Sequence, residues 1–250
     1  MANVLDAVDR RALLTQLGIS RGLSLLWIPM FTGIMAFVMR WRLVGSDRVR
    51  QEYARLRSES DAPVLVCANH LTMLDSFAIT WALGGMGAFL RHFNWLPWNT
   101  PEETNFASTW WKRNLVYLLK CVPVKRGSNR AEVAKTLDRV GFLLARGESV
   151  LIFPEGGRSR TGRVDQESAA YGVGRLVSSI PGCRVFCVYL RGRKQESWGH
   201  SPRPGDVFDV YSSVLEPKTD HEGLRGSVEI AQQIVGRLAE METRHFDDRQ

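Results

Sequence analysis

The sequence predicts an α/β fold: a central mixed sheet covered by helices, with a helical segment in front of it. Three observations carry this reading. From about residue 60, apolar runs of strand length alternate with segments whose apolar residues recur at helical spacing. Residues 22–39 (GLSLLWIPMFTGIMAFVM) carry no charge, and Arg21, Arg40 and Arg42 flank them. The chain is 44% hydrophobic and 24% charged, a globular balance that excludes disordered, collagen-like, coiled-coil and polytopic membrane classes. The expected division is a helical, membrane-anchoring segment over residues 1–60 and an α/β body over residues 61–250.

Taken in order, residues 7–20 predict a short amphipathic helix. Residues 22–39 follow as an apolar helix interrupted by Pro29. Eighteen helical residues span about 27 Å, just short of a hydrocarbon core of about 30 Å. Cations at both ends suit an interfacial or re-entrant helix, with Trp27 and Trp41 at headgroup level. A signal peptide is the poorer alternative, because Asp6 and Asp9 spoil its cationic start. A buried globular helix is the bland one.

Residues 64–68 read as a buried strand and residues 75–83 as a helix. Residues 87–93 and 121–124 are candidate short strands, and residues 95–109 an irregular insertion. Val133, Leu137, Val140 and Leu144 stripe a helix over residues 129–145. Strands are expected at 149–153, 184–190 and 207–211, and helices at 166–179 and 224–238. Aromatic residues crowd positions 81–117, from Trp81 through Trp95, Trp98, Trp110 and Trp111 to Tyr117. They read as core packing, as an apolar wall, or as an interfacial patch.

The four cysteines, Cys67, Cys121, Cys183 and Cys187, form no C-x-x-C pair, and Cys67 and Cys187 lie within strand-like runs. Free thiols in a reduced, cytosolic compartment are the simpler reading. Clustered zinc ligands are absent from the pattern, so no metal is expected. The net charge of +7 calls for an anionic partner, and its placement identifies the kind. Residues 1–60 hold nine Arg against five acids around the apolar run, which suits an anionic lipid surface. Residues 156–203 hold nine basic residues against three acids. These surround a set of loop motifs rather than a recognition helix, so nucleic acid is not the expected partner.

Asn69-His70-Leu-Thr-Met-Leu-Asp75 follows directly on the strand at 64–68. The first helical turn swings Asp75 back towards His70. A carboxylate on one ring nitrogen fixes the tautomer and leaves the other nitrogen as a base. Of the five histidines, only His70 has an Asp five positions on. This is the base-and-orienter part of a triad, without a nucleophile. Phe153-Pro-Glu-Gly-Gly-Arg-Ser-Arg-Thr-Gly162 follows another strand. Its glycines allow backbone to approach a ligand, Arg158 and Arg160 offer forked donors to phosphate, and Glu155 offers a carboxylate to a hydroxyl. Val122-Pro-Val-Lys-Arg-Gly127 delivers Lys125 and Arg126 to a turn.

Taken together and in this order, His70-x4-Asp75, a strand ending in Arg126 and the FPEG loop with Arg158 resemble the glycerolipid acyltransferase family. That family includes the bacterial 1-acylglycerol-3-phosphate acyltransferases. The resemblance covers roughly residues 20–195. It implies an α/β domain with an N-terminal helical membrane motif; the location of the acyl donor and the cationic flanks point to an active face on the cytoplasmic side of a membrane. It implies acyl transfer from acyl-CoA or acyl carrier protein, as co-substrate and without a further cofactor, to a glycerol hydroxyl of a lysophospholipid. In it, His70 matches the catalytic base and Asp75 its orienting carboxylate. Arg126 matches a phosphate-binding arginine, and Glu155, Gly156 and Arg158 match acceptor-binding residues. The chain departs from the family pattern at Gly157, where Thr is usual. It also departs at residues 165–172, which lack an aromatic-Lys-x-Gly signature, and at Phe186-Cys187-Val188 in place of Val-Pro-Val. These departures leave other acceptors open, among them an aminolipid, a glycolipid or a polyene lipid. A non-catalytic lipid-binding protein is the rival from another class.

Overall fold

The computed structural model describes residues 5–106, 108–125 and 129–249. Six strands form one mixed sheet in the order β1-β6-β5-β2-β4-β3. They are β1 (Arg42–Val44), β2 (Val64–Ala68), β3 (Trp98–Asn99), β4 (Val150–Ile152), β5 (Arg184–Gly192) and β6 (Val207–Leu215). The pair β5–β6 is antiparallel, and every other neighbouring pair is parallel. β2, with the sequence VLVCA, is buried along its whole length. A strand apolar on both faces belongs inside a sheet covered on both sides. Val64, Val66 and Ala68 enter one core cluster, and Leu65 and Cys67 enter the other. The side-chain period of two therefore divides the interior into two layers.

The first layer is roofed by α2 (Ser24–Gly33), α3 (Ser46–Glu59), α4 (Asp75–Leu83) and α5 (Met86–Arg91). α3 turns Val49, Tyr53 and Leu56 inward, and Tyr53 Oη donates to Trp95 O (2.7 Å) and packs against Phe186. The second layer is roofed by α8 (Arg130–Ala145), α9 (Tyr171–Ser179) and α10 (Gly223–Asp247). The backbone of α10 comes so close to α9 that a Cβ at Gly174 would overlap Ser227 O.

The N-terminal helices are tied to this body. α1 (Ala7–Gly22) is capped by Asp6, whose carboxylate accepts from Asp9 N–H (2.7 Å). Asp9 pairs with Lys135 (3.0 Å) and Arg139 (2.6 Å) of α8. Gln16 and Ser20 donate to carbonyls of Tyr117, Leu118 and Cys121, at the end of α7 (Trp110–Leu118). A helix C-terminus leaves such acceptors unpaired, so α1 caps α7 from outside. α2 runs on into a π-helical turn at Ile34–Val38. Among the described residues, no single helix is long and apolar enough to cross a membrane. α1 and the α2–π segment reach that length and composition only together, across a 69° bend.

Several expectations need correction. Trp27 and Trp41 do not sit at an exposed level: both are buried, and their indole N–H groups donate to Ser20 O (2.9 Å) and Arg203 O (3.2 Å). Residues 86–91 form α5 rather than a strand, because Ala88 and Phe89 N–H close a helical turn onto Gly85 O. Residues 121–124 make only isolated bridges to Asn99 and Glu102, and Pro123 interrupts the donors a ladder needs. The insertion at 95–109 contains the edge strand β3 and the short helix α6 (Glu103–Phe106). α9 begins at Tyr171, since the Asp165 carboxylate holds Glu167 N–H and Ser168 Oγ in a turn before it.

Candidate active site

β2 and β4 pair in parallel with Cys67 opposite Ile152, so the chain leaves both strands at the same edge. The carboxyl edge of a parallel sheet is where such folds bind ligands. His70 leaves β2 there and Phe153 leaves β4. Their rings stack at 3.9 Å and 14°. Two motifs 85 residues apart become neighbours through strand pairing alone. Asn69 pins the first of them: its amide donates to Leu190 O (3.0 Å) and accepts from Leu190 N–H (2.8 Å) on β5.

Asp75 opens α4 and is 2% exposed. One of its oxygens accepts from Leu71 N–H (2.5 Å) and Thr72 N–H (2.7 Å), and the other from Thr72 Oγ (2.5 Å). The helix N-terminus adds a favourable dipole. The carboxylate, an acceptor toward these donors, also faces His70 Nδ1 at 3.2 Å. Nδ1 therefore carries the proton, and Nε2 keeps a lone pair available as a base. The imidazole side chain is 12% exposed.

The loop after β4 folds back over His70. Glu155 Oε1 accepts from His70 N–H (3.3 Å), and Oε2 accepts from Asp165 N–H (3.1 Å). Burial pushes the Glu155 carboxyl up to about 7, and the two backbone donors only partly offset this. Gly156 has φ +67°, a left-handed conformation that favours glycine, and its N–H donates to Phe153 O (3.1 Å). Ser159 N–H donates to His70 O (3.0 Å). Arg158 reaches a third segment: its guanidinium donates to Gly199 O (3.0 Å) and lies over the Trp198 ring (5.3 Å). That segment bonds in turn to the first motif, through Gly199 N–H to Leu71 O (3.0 Å) and Met73 N–H to His200 O (3.1 Å).

His70, Asp75, Glu155, Gly156 and Arg158 thus belong to one hydrogen-bonded cluster. Arg126 lies outside the described residues. Asn69, Thr72 and Phe153 also shape the site, though the sequence reading gave them no role. Asn69 was detectable as a polar residue ending an all-apolar strand; the stacking of Phe153 depends on strand order. Cys67 lies near His70 in sequence but is fully buried, and burial raises its thiol well above the ordinary range. It is an inert core thiol rather than a nucleophile. Among the described residues, no three His, Cys, Asp or Glu gather as a metal site. What the cluster can do is remove a proton from a hydroxyl placed at His70 Nε2.

A search of the curated proteins finds no match. The model of the acyltransferase family matches residues 25–191, about two thirds of the chain, and that span includes all the motifs above. The chain therefore belongs to the acyltransferase family.

Proposed function

We propose that the protein transfers a fatty acyl group from acyl-CoA or acyl carrier protein to the free hydroxyl of a lysophospholipid at an anionic membrane surface. The default acceptor is 1-acylglycerol-3-phosphate. The observation that carries this reading is the oriented pair His70–Asp75, with Nδ1 facing the carboxylate at 3.2 Å. His70 Nε2 takes the acceptor hydroxyl proton as the oxygen attacks the thioester carbonyl carbon. The new C–O bond forms, the C–S bond breaks, and the proton passes from His70 to the departing thiolate. A thioester is already activated, so no covalent enzyme intermediate is needed. General base catalysis of this kind contributes about 10²–10⁴-fold.

The membrane part of the proposal is supported by apolar side chains left outside the core. Leu25, Leu26, Met30, Phe37 and Val38 on the α2–π segment are exposed, as are Trp110 and Trp111 on α7. Arg21, Arg40 and Arg42 flank the first group. Trp27, Phe31, Phe77 and Leu96 line an apolar cavity of about 40 Å³.

The test supplies labelled acyl-CoA with a panel of acceptors in detergent or vesicles. His70→Ala is expected to lose about 10²–10⁴-fold in turnover while still binding vesicles. A near-wild-type rate in this variant would refute the mechanism. Arg158→Ala is expected chiefly to raise the acceptor KM. A second acceptor class is kept open by the departures from the family pattern at Gly157 and residues 165–172. Turnover of an aminolipid or glycolipid in preference to the lysophosphatidate would select it.

A further inference from the structure

Glu242 stands on α10, outside the span that matches the family, yet its carboxylate reaches the loop behind the FPEG turn. Oε2 accepts from Val164 N–H (3.1 Å). Oε1 accepts from Tyr189 Oη (3.2 Å) and lies 3.8 Å from the Arg191 guanidinium. Arg191 donates to Gly162 O (2.6 Å) and Glu196 O (3.1 Å). Tyr189, Arg191 and Glu242 are all buried. Burying such a charge pair is costly unless its remaining donors and acceptors are satisfied. Here the satisfying groups, apart from Tyr189 Oη, are backbone atoms of the two loops that frame the site.

The tether ends close to the chemistry. Asp165, the residue after Val164, donates its N–H to Glu155 Oε2, and Glu155 Oε1 holds His70 N–H. Gly162 has φ +71°, and a Cβ there would lie 2.8 Å from Ser197 Cα, so the two loops are packed backbone to backbone. Phe246, further along α10, lies 3.6 Å from the Arg163 guanidinium.

We propose that Glu242, with Arg191, is a positioning residue that holds the loop at 159–165, and through Asp165 the Glu155 carboxylate, in its acceptor-binding arrangement. The role in acceptor binding rests on the function proposed above; the tether does not. Glu242→Met keeps the side-chain volume and removes both acceptor oxygens. Residue-resolved amide exchange is expected to accelerate at least tenfold at Val164 and Asp165, with β2 and α9 unchanged. With a turned-over acceptor, its KM rises about tenfold while the acyl-donor KM stays within twofold. Glu242→Gln retains an oxygen for Val164 N–H and stays within threefold of wild type in both measurements. Unchanged exchange in Glu242→Met, parallel shifts of both KM values, or a Gln variant as impaired as Met would overturn the proposal. If Glu242→Met fails to fold, the wild-type protein decides: a Val164 amide exchanging at the rate of an unstructured peptide overturns it, and a protected one supports it. Exchange needs no substrate, so failure of every acceptor on the panel would sink the proposed function and leave the tether tested.

Discussion

Glu155 gives both carboxylate oxygens to backbone donors and still sits near pH 7 because burial outweighs them. Its folded value of about 7 lies above the unfolded value of 4.5. Between these limits the folded state holds more protons than the unfolded state, so stability falls as pH rises from 4.5 to 7. The contribution present below pH 4.5 and lost above pH 7 is about 3 kcal/mol. Glu155→Gln keeps one acceptor oxygen and does not titrate. Relative to wild type, it is expected to gain stability between pH 5 and pH 8, by up to that amount, in urea unfolding. A pH-independent difference would remove Glu155 from this account. At this scale the sequence was informative where a motif is local: the His70–Asp75 spacing gave the pair. It was silent on Glu155's second partner, because Asp165 returns to the carboxylate through a loop with no periodic signal.

Among the elements, Lys120 is the residue that fastens the sheet edge. It is fully buried with φ +54°, and Nζ donates to Phe93 O (3.1 Å), Leu96 O (2.7 Å) and Glu148 Oε2 (2.7 Å). Glu148 also accepts from Trp98 Nε1 (2.9 Å) on β3. This ion pair joins the end of α7 and the edge strand to the turn before β4. Removing one partner of a buried pair leaves the other uncompensated, at about 3–5 kcal/mol. Lys120→Met is therefore expected to destabilise by about 3 kcal/mol, with Lys120→Met/Glu148→Gln recovering part of the loss in the same urea titration. Sequence reading missed this edge because a two-residue strand has no period to detect. It succeeded where the pattern was long or wholly apolar: β2 and α4 lie where they were expected, and α8 carries the stripe through Val140 and Leu144. It mistook α5 for a strand because six residues of small and apolar side chains fit both periods. α3 shows Val49, Tyr53 and Leu56 at helical steps, a signal the sequence also carries.

At the scale of the whole molecule, the apolar run at 22–39 is divided between two surroundings. Trp27, Ile28 and Met35 belong to the first core layer, while Leu25, Leu26, Phe37 and Val38 face outward. One side of the segment packs into the core and the other is exposed, which is why hydropathy alone left the choice open. The proposed membrane contact makes these two sets behave differently on substitution. Phe37 is 83% exposed, so Phe37→Glu costs the folded protein little. Full burial of a Phe side chain is worth about 1.5–3 kcal/mol, so losing it from an interface weakens vesicle binding about tenfold or more. Phe37→Glu is expected to lower sedimentation with anionic vesicles by that factor at an unchanged Tm. Met35→Glu should instead lower Tm, because it buries an unpaired carboxylate. The flanking arginines add a second, separable signature. Each is worth about 1 kcal/mol near an anionic surface and is screened within a Debye length, so wild-type binding should weaken as salt rises. Phe37→Glu binding should keep that salt dependence at a lower level. Unchanged sedimentation of Phe37→Glu, or binding indifferent to both salt and lipid charge, would leave the outward apolar face without a membrane role and restrict the segment to roofing the sheet.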